Sequence, residues 1–223
     1  MLRRAPYRAD HVGSLLRPPA IHEARKHCFS GSVGSDRFGT SDQLREVEDI
    51  AIAEVVKMQE SIGLLAATDG EYRRWFWHFD FMGALSGMEL VERSEGVQFH
   101  GIQIPPIHPI ITERINFPDN HPMLDHFRYL ASVTNVQPKM SVPGPSCCHF
   151  RIAKADIAPP EYADVEVLFS DLTKTYSKAV KEFYKAGCRY LQMDDIFFAY
   201  LCDPNQREKK KTEGLDRDWL ITQ

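Results

Sequence analysis

Several short apolar runs of the chain are followed directly by side chains that can do chemistry. These side chains carry hydroxyl, imidazole or carboxylate groups, and they are His11, Ser14, Asp69, Glu71, Ser146, Asp194 and Asp195. Carboxylates in such positions can hold a substrate ammonium group, orient a cation or act as acid and base. The alternative is that each acid caps the helix that follows it. Four acids in corresponding positions favour a functional site.

The first segment that must position these side chains has the order helix, glycine, buried strand, acid. Apolar residues recur every three or four positions over 44–62, Thr40 and Gln43 have the spacing of a capping box, and Gly63 is a natural helix stop. The run LLAAT at 64–68 is too short for a helix and predicts a strand that is buried on both faces.

A second segment repeats this order. Its helical stripe covers 165–183, Gly187 follows, and CRYLQM at 188–193 predicts a strand that ends at Asp194 and Asp195. Two such units predict parallel β/α architecture. Three more strands are predicted at ADHVGS (9–14), IITERI (110–115) and KMSVPGPS (139–146). Long loops are predicted at 30–42, 104–122 and 203–214.

The fold class that this order predicts is α/β, with one domain over residues 1–223, because no shift in composition marks a boundary. In TIM barrels and in doubly wound sheets alike, the carboxyl ends of parallel strands carry the chemistry, so the polar residues listed above should form one site. A doubly wound nucleotide-binding fold is the structural alternative. It is disfavoured because neither GxGxxG nor GxxxxGK[ST] occurs.

Composition excludes several classes of protein. Of 223 residues 43% are hydrophobic, which is enough for a core, and the formal net charge of -4 gives no general attraction to nucleic acid or anionic membranes. No run of ~18 apolar residues occurs, and the first residues lack the apolar stretch of a secretory signal. We therefore expect a cytoplasmic protein without nucleic-acid or membrane partners. The basic run 207–211 predicts a solvated loop.

Two further clusters have open interpretations. The segment RRWFWHFDF at 73–81 could form the wall of a pocket for a flat ligand or an aromatic cluster of the core. Cys147, Cys148 and His149 could bind a metal ion, but adjacent residues on an extended chain point to opposite faces, which disfavours a shared ion. The five cysteines include no CxxC pair, so no disulfide framework is predicted.

Four motifs in this order resemble the cobalamin-independent methionine synthase family, most closely its short, single-barrel "methionine synthase II-like" members. They are ADHVGSLLRP (9–18), TDGEYRR (68–74) with WHFDF (77–81), VPGPS (142–146) with HFR (149–151), and YLQMDDIFFAYLCDP (190–204). The resemblance covers almost the whole chain. It implies a TIM (β/α)8-type barrel of the methionine synthase and uroporphyrinogen decarboxylase superfamily, with this chain covering roughly strands one to five.

The resemblance also implies an activity and its small-molecule partners. A methyl group would pass from 5-methyltetrahydrofolate, as the polyglutamate, to the thiol of homocysteine. Zinc would bind the thiol and lower its pKa, because a free thiol with a pKa of ~8.5 is mostly protonated at neutral pH. A homo-oligomer is expected only from the class of protein.

Site residues follow from the resemblance by motif. Val12, Gly13 and Ser14 match the turn that contacts the amino acid substrate, Glu71 matches the acid that holds its amino group, and Asp194 matches an acid of strand five. Glu71 and Asp194 are therefore the expected catalytic residues. His11, Ser146 and Asp195 complete the expected substrate-binding set.

Two departures from the family pattern stand out. Asp195 replaces the family's Glu, which shortens the side chain by one methylene group. The family's zinc ligands, a His-x-Cys pair, a Glu and a Cys on the last three strands, have no match within 1–223, so they are expected C-terminal to Gln223. Two alternatives stay open: alkyl transfer involving another thiol such as coenzyme M, and an inactive barrel fragment that binds a ligand or partner through 75–81.

Overall fold

The computed structural model describes residues 7–28, 41–93, 98–99, 102–103, 107–150, 152–212, 215 and 217–222. The helices of this part are α1 (Pro19–Cys28), α2 (Asp42–Ser61), α3 (Phe79–Met82), α4 (Pro122–Val133), α5 (Cys147–Phe150), α6 (Val165–Lys185), α7 (Phe197–Tyr200), α8 (Pro204–Thr212) and α9 (Arg217–Thr222). The strands are β1 (Ala66–Ala67), β2 (Ser86–Glu92), β3 (Gln98–Phe99), β4 (Ile102–Gln103), β5 (Ile107–Asn116), β6 (Gln137–Pro138), β7 (Met140–Pro143) and β8 (Leu191–Asp194).

The strands that position the site run parallel. β1 pairs with β6, and β7 pairs with β8. Only Lys139 separates β6 from β7, and the two neighbouring amides bond in different directions: Lys139 N donates to Ala67 O at 2.9 Å and Met140 N donates to Tyr190 O at 3.1 Å. Successive amides of an extended chain point to opposite sides, so β1 and β8 flank the segment 137–143. Their carboxyl ends therefore lie at one edge.

This arrangement supports the predicted α/β class at a coarse level. The described strands form four two-stranded sheets, two parallel and two antiparallel, and no closed barrel is found among them. A TIM barrel therefore stays a prediction. Within the described ranges, no helix is both long and apolar enough to cross a membrane.

The first helix–glycine–strand unit forms as predicted, except at its start. α2 is capped by Ser41, whose Oγ accepts from Leu44 N at 3.2 Å, and not by the predicted Thr40, which lies outside the described residues. The capping box is thus misplaced by one residue, because the hydroxyl that reaches the third helical amide is that of Ser41. After the helix, Gly63 has a φ of +87°, the left-handed backbone that favours glycine. The predicted strand LLAAT is confirmed as the short β1.

The second unit is confirmed in its order, with a strand that begins at Leu191 instead of Cys188. α6 begins after Asp164, whose carboxylate accepts from Glu166 N at 3.0 Å, and the chain reverses at Gly187 with a φ of +100°. β8 then runs parallel to β7, as two repeated β/α units predict.

Three other predictions are wrong. The segment 9–14 forms no strand, and its His11 carbonyl accepts a hydrogen bond from the Lys139 side chain instead of from a neighbouring strand. IITERI is part of β5, but β5 pairs antiparallel with β2, a strand that the sequence analysis missed, so it does not belong to the parallel set. Most of the predicted loop 104–122 is therefore strand. Most of the predicted loop at 30–42 falls on residues outside the described part.

The charged segment 203–214 contains a helix, not the predicted loop. α8 covers Pro204–Thr212, and Lys210 within the basic run is only 4% exposed. Its Nζ lies 4.7 Å from the centre of the Phe150 ring. A long aliphatic stem lets lysine pack in this way while its charge interacts with the aromatic face.

The core has two parts. The larger one joins the β2–β5 hairpin, α4, α6 and β7 around Phe81, Ile111, Phe127 and Phe183, each at most 1% exposed. The smaller one packs α1 and α2 against β1. The candidate side chains at the carboxyl ends of β1, β7 and β8 lie outside both clusters.

Candidate functional site

A cavity of about 490 Å³ lies at the carboxyl ends of the parallel strands. It is lined by Val12, Gly13, Ser14, Glu71, Trp77, Gln192, Met193, Asp194, Asp195 and Ile196. Six of the eight predicted site residues are in this set, and His11 and Ser146 are not. Residues far apart in sequence thus meet in one place, while their roles stay predictions.

Glu71 is the most constrained side chain of the cavity. It is 4% exposed and has a φ of +58°. Ser14 Oγ donates to its Oε2 at 2.9 Å, and the guanidinium of Arg74 forms an ion pair with its Oε1 at 3.3 Å. Both carboxylate oxygens therefore have a polar partner.

The turn after β1 gives Glu71 this conformation. Asp69 Oδ1 accepts from Glu71 N at 2.9 Å, and Thr68 Oγ1 accepts from Gly70 N at 3.2 Å. Gly70 has a φ of +65°, and a Cβ there would lie 2.9 Å from the ring of Tyr72. Only glycine fits this close approach without strain. Asp69 therefore caps no helix, as the alternative interpretation would have it, but forms an Asx-type turn that orients the next acid.

The segment that carries Ser14 is fixed by Lys139, which is 1% exposed. Its Nζ donates to Asp10 Oδ2 and to His11 O, both at 2.7 Å. His11 itself uses Nε2 to donate to Gly13 O at 2.6 Å, so its ring shapes the segment and does not line the cavity. Lys139 is not among the predicted site residues, and its signal in the sequence is a charge at the first position of the predicted strand 139–146.

Asp194 and Asp195 end β8 on the other side of the cavity. Gln192 Nε2 donates to Asp194 Oδ1, and Ser146 Oγ donates to Asp195 Oδ1. The backbone of Gly144 approaches closely, since a Cβ there would lie 3.0 Å from the carboxylate of Asp195. Ser146 thus acts on the site through Asp195. It lines a neighbouring, largely apolar cavity of about 560 Å³ that shares Met193 and Asp195 with the first.

Charge distinguishes the first cavity. The described residues that line it include three carboxylates, those of Glu71, Asp194 and Asp195, and no lysine or arginine. Within the part of the chain that the structure describes, the single ion pair formed by these three acids is that of Glu71 with Arg74. Such a lining favours a ligand group that is cationic.

The aromatic segment 73–81 contributes both to the core and to the wall of the cavity. Phe79 and Phe81 are 7% and 0% exposed and belong to the core, whereas Trp77 lines the cavity. The Asp80 carboxylate accepts hydrogen bonds from two backbone amides of the same segment, Trp75 N at 2.8 Å and Phe76 N at 2.6 Å. Burial raises the pKa of Asp80 above its usual value in spite of these hydrogen bonds.

The Cys147, Cys148 and His149 cluster does not form a metal site. These residues begin α5, so the extended chain assumed from the sequence is wrong. Cys148 Sγ lies 3.7 Å from the hydroxyl of Tyr176, and burial raises the pKa of its thiol to about 12. Across the described ranges, no group of three or more His, Cys, Asp or Glu side chains could hold a metal ion. The described residues therefore offer no set of ligands that fits the expected zinc.

Two proteins of known structure that are similar to this chain carry methionine synthase names. No family model matches the chain. It is 36% identical to a Listeria monocytogenes protein of known structure that carries the provisional name vitamin-B12-independent methionine synthase, with a TM-score of 0.72, covering 94% of this chain and 60% of that chain. A B12-independent methionine synthase from Shewanella sp. W3-18-1, solved with selenomethionine, has a TM-score of 0.54 at 19% identity, covers 74% of this chain and 47% of that chain, and shows the fold alone. These similarities support the resemblance that the motifs indicate.

The curated relatives are longer than this chain, and their names state no activity. The uncharacterized proteins YxjH and YxjG of Bacillus subtilis are each 39% identical to this chain over 219 and 220 residues, which cover 98% of it. The chain spans 55% and 56% of their lengths. It therefore corresponds to little more than half of these relatives.

Three cavity residues are not among the predicted site residues: Gln192, Met193 and Ile196. Trp77 belongs to the aromatic segment whose interpretation as a pocket wall is open in the sequence. The three unpredicted residues lie within two positions of Asp194 or Asp195. Their closeness in sequence to the two acids is the feature that points to them. Side chains alternate along a strand, however, so only every second residue is expected on the cavity side. Both kinds of position contribute here because the cavity lies where the strand has just ended.

Proposed function

We propose that this chain carries the amino-acid-binding part of a methionine synthase-like methyltransferase. The reaction is the transfer of a methyl group from 5-methyltetrahydrofolate, as the polyglutamate, to the thiol of homocysteine. The observation that carries the proposal is the Ser14–Glu71 hydrogen bond of 2.9 Å in a cavity that Asp194 also lines. The similarity to the Listeria monocytogenes protein supports it.

The chain's own residues would bind and orient the amino acid. Glu71 is held in place by Ser14 and Arg74, and its carboxylate accepts hydrogen bonds from the substrate ammonium group. Asp194 provides a second negative group on the opposite wall. Val12 and Trp77 offer apolar surface for the side chain that carries the sulfur. Fixing the amino group in this way orients the thiol toward the methyl donor.

The reaction itself is a displacement at carbon. The sulfur forms a bond to the methyl carbon while the bond from that carbon to N5 of the folate breaks; the thiol loses its proton and N5 gains one. Zinc, when bound, would make the sulfur more nucleophilic by lowering the pKa of the thiol. Since the described residues do not fit zinc, we derive no step through it, and its ligands are proposed to lie C-terminal to Gln223.

The charge of the cavity favours homocysteine over a thiol such as coenzyme M. Three carboxylates would attract an ammonium group, but they would repel the sulfonate of coenzyme M. Lysine and arginine, which bind sulfonates well, are absent from the described lining residues.

Amino acid binding tests the proposal directly. We expect isothermal titration calorimetry to detect binding of L-homocysteine and L-methionine to this chain, and Glu71→Gln to weaken that binding at least tenfold, because an amide cannot neutralise the ammonium charge. The control is Glu46→Gln, since Glu46 is an exposed residue of α2. A desamino analogue of methionine should bind poorly.

The opposite result has a clear meaning. If Glu71→Gln binds both amino acids as tightly as the unchanged chain does, Glu71 does not hold the ammonium group. If the unchanged chain binds the desamino analogue equally well, the amino acid is not the ligand class of this cavity.

A further inference from the structure

Two arginines bind the backbone of the turn that carries Glu71. Arg17 Nη2 donates to Glu71 O at 2.6 Å and to Arg74 O at 2.8 Å. Arg25, on α1, donates to Tyr72 O at 2.6 Å and to Arg74 O at 3.2 Å. Three carbonyl groups of one short turn are thus bound by cationic side chains from the segment before α2. Neither arginine lines the cavity.

The turn needs external support because its backbone is strained. Glu71 has a φ of +58° although it is not a glycine, and it follows Gly70, which also has positive φ. A residue with a Cβ adopts this conformation only where its surroundings impose it. Without Arg17, the carbonyl of Glu71 would keep only the bond from Arg74 N, at 3.2 Å.

Every polar atom of Glu71 has a partner. Its N–H donates to Asp69, its two carboxylate oxygens contact Ser14 and Arg74, and its carbonyl accepts from Arg17. Asp69 and Arg74 belong to the turn itself, so they move with it. Arg17 comes from a different segment and is bound only to backbone carbonyls of the turn. It can therefore anchor the turn without adding a charge to the lining of the cavity.

We propose that Arg17 is a positioning residue that holds the Glu71 turn in its left-handed conformation and so aims the Glu71 carboxylate at Ser14 and the cavity. The geometry suits arginine, because the two N–H groups of one planar nitrogen diverge toward two carbonyls. The consequence for binding rests on the proposed function, namely that Glu71 holds an ammonium group. The consequence for the turn does not.

Two measurements separate these consequences. Hydrogen–deuterium exchange of the peptide that covers 69–75 reports on the turn without any ligand, and calorimetry with L-homocysteine and L-methionine reports on the site. We expect Arg17→Ala to speed exchange in this peptide at least tenfold and to weaken binding at least tenfold. Arg17→Lys should recover part of both losses, since an ammonium group can still donate to a carbonyl.

The matched control is Lys26→Ala. Lys26 lies on α1 near Arg25, but its Nζ pairs with exposed Glu23 at 2.7 Å. Exchange of the turn and binding should both stay as in the unchanged chain, because surface pairs of this kind contribute little.

A double substitution distinguishes positioning from general destabilisation. If Arg17 acts through Glu71, Arg17→Ala combined with Glu71→Gln should bind no more weakly than Glu71→Gln alone. Additive losses would overturn the proposal, as would unchanged exchange of 69–75 in Arg17→Ala or faster exchange with unchanged binding. If the unchanged chain binds neither amino acid, the proposed function fails; the exchange result alone then supports or overturns the role of Arg17 in holding the turn.

Discussion

At the scale of single residues, the site depends on contacts between segments that are far apart in sequence. Ser14 and Glu71 are 57 positions apart, and Ser146 and Asp195 are 49 apart, yet each pair is joined by a hydrogen bond. Each pair connects the carboxylate of one strand end to a hydroxyl of another segment. Such pairs keep a carboxylate in one direction and leave it little freedom to lose when a ligand binds.

Gly144 offers a test of how closely the site is packed. A Cβ at this position would lie 3.0 Å from Cβ and Oδ2 of Asp195, so Gly144→Ala must displace that acid. We expect weaker binding of L-methionine, by about tenfold, as the carboxylate moves out of place. Calorimetry measures the loss.

The control for Gly144→Ala is Gly187→Ala. Gly187 has a φ of +100° but nothing within 4 Å of its added Cβ, so alanine there strains the backbone without touching the site. It should lower the free energy of unfolding by roughly 1 kcal/mol and leave binding intact. Equal binding by both variants would contradict the proposed packing of Asp195.

At the scale of elements, the β2–β5 hairpin is tied to α6 by a small polar network. Arg114 donates two hydrogen bonds to the Asp171 carboxylate, from Nε at 2.8 Å and from Nη2 at 2.9 Å. Tyr162 joins them, since its hydroxyl donates to Asp171 at 2.9 Å and accepts from Ile115 N at 2.8 Å. These hydrogen bonds, that of Arg114 first, lower the pKa of Asp171 to about 2.

This pKa predicts how stability depends on pH. A carboxyl group whose pKa is lower in the folded state contributes stability above its unfolded value and loses it as the pH falls through the folded value. The contribution of Asp171 should therefore be complete above 3.8 and fade as the pH approaches about 2. We expect Asp171→Asn to destabilise the chain by about 1 kcal/mol at neutral pH, a modest figure because Arg114 is half exposed.

Urea unfolding at several pH values checks this expectation. The difference between the unchanged chain and Asp171→Asn should be largest at neutral pH and should vanish in acid. The control is Asp125→Asn, which removes one member of the exposed pair with Arg128 and should have little effect at any pH. A difference that persists unchanged to the lowest pH would mean that Asp171 acts through packing and not through its charge.

At the scale of the whole molecule, large apolar side chains remain at the surface beside β8. Val180, Met193, Ile196, Phe198 and Ile221 are between 41% and 56% exposed. Three of them, Val180, Met193 and Phe198, line the apolar cavity of about 560 Å³ next to the site. Exposed apolar side chains grouped in one cavity offer a surface to which an apolar molecule can bind.

This surface predicts the behaviour of the 223-residue chain in solution. We expect it to bind the dye 8-anilinonaphthalene-1-sulfonate with a rise in fluorescence while circular dichroism reports folded structure. Phe198→Ser, which removes an exposed ring, should reduce the dye signal without lowering the unfolding temperature. Leu16→Ser is the control, since Leu16 is exposed but does not line that cavity. A dye signal that Leu16→Ser reduces equally would contradict this assignment.

Elements that depend on interactions between neighbouring residues can be predicted from the sequence alone. Helix periodicity, the stops at Gly63 and Gly187, and the apolar runs of β1, β7 and β8 depend on neighbouring residues. The positions of the strand-end acids follow from them, because parallel strands bring their carboxyl ends to one edge.

Strand pairing and the exact lining of the cavity depend on contacts that form only in the folded chain. The segment 9–14 is predicted as a strand, but its His11 carbonyl accepts from buried Lys139 and the segment forms no strand. β5 is extended as predicted, yet its partner β2 makes it antiparallel. His11 and Ser146 lie beside the predicted site but shape it from outside the cavity. In each case the deciding contact joins residues distant in sequence, and such contacts leave no periodic signal along the chain.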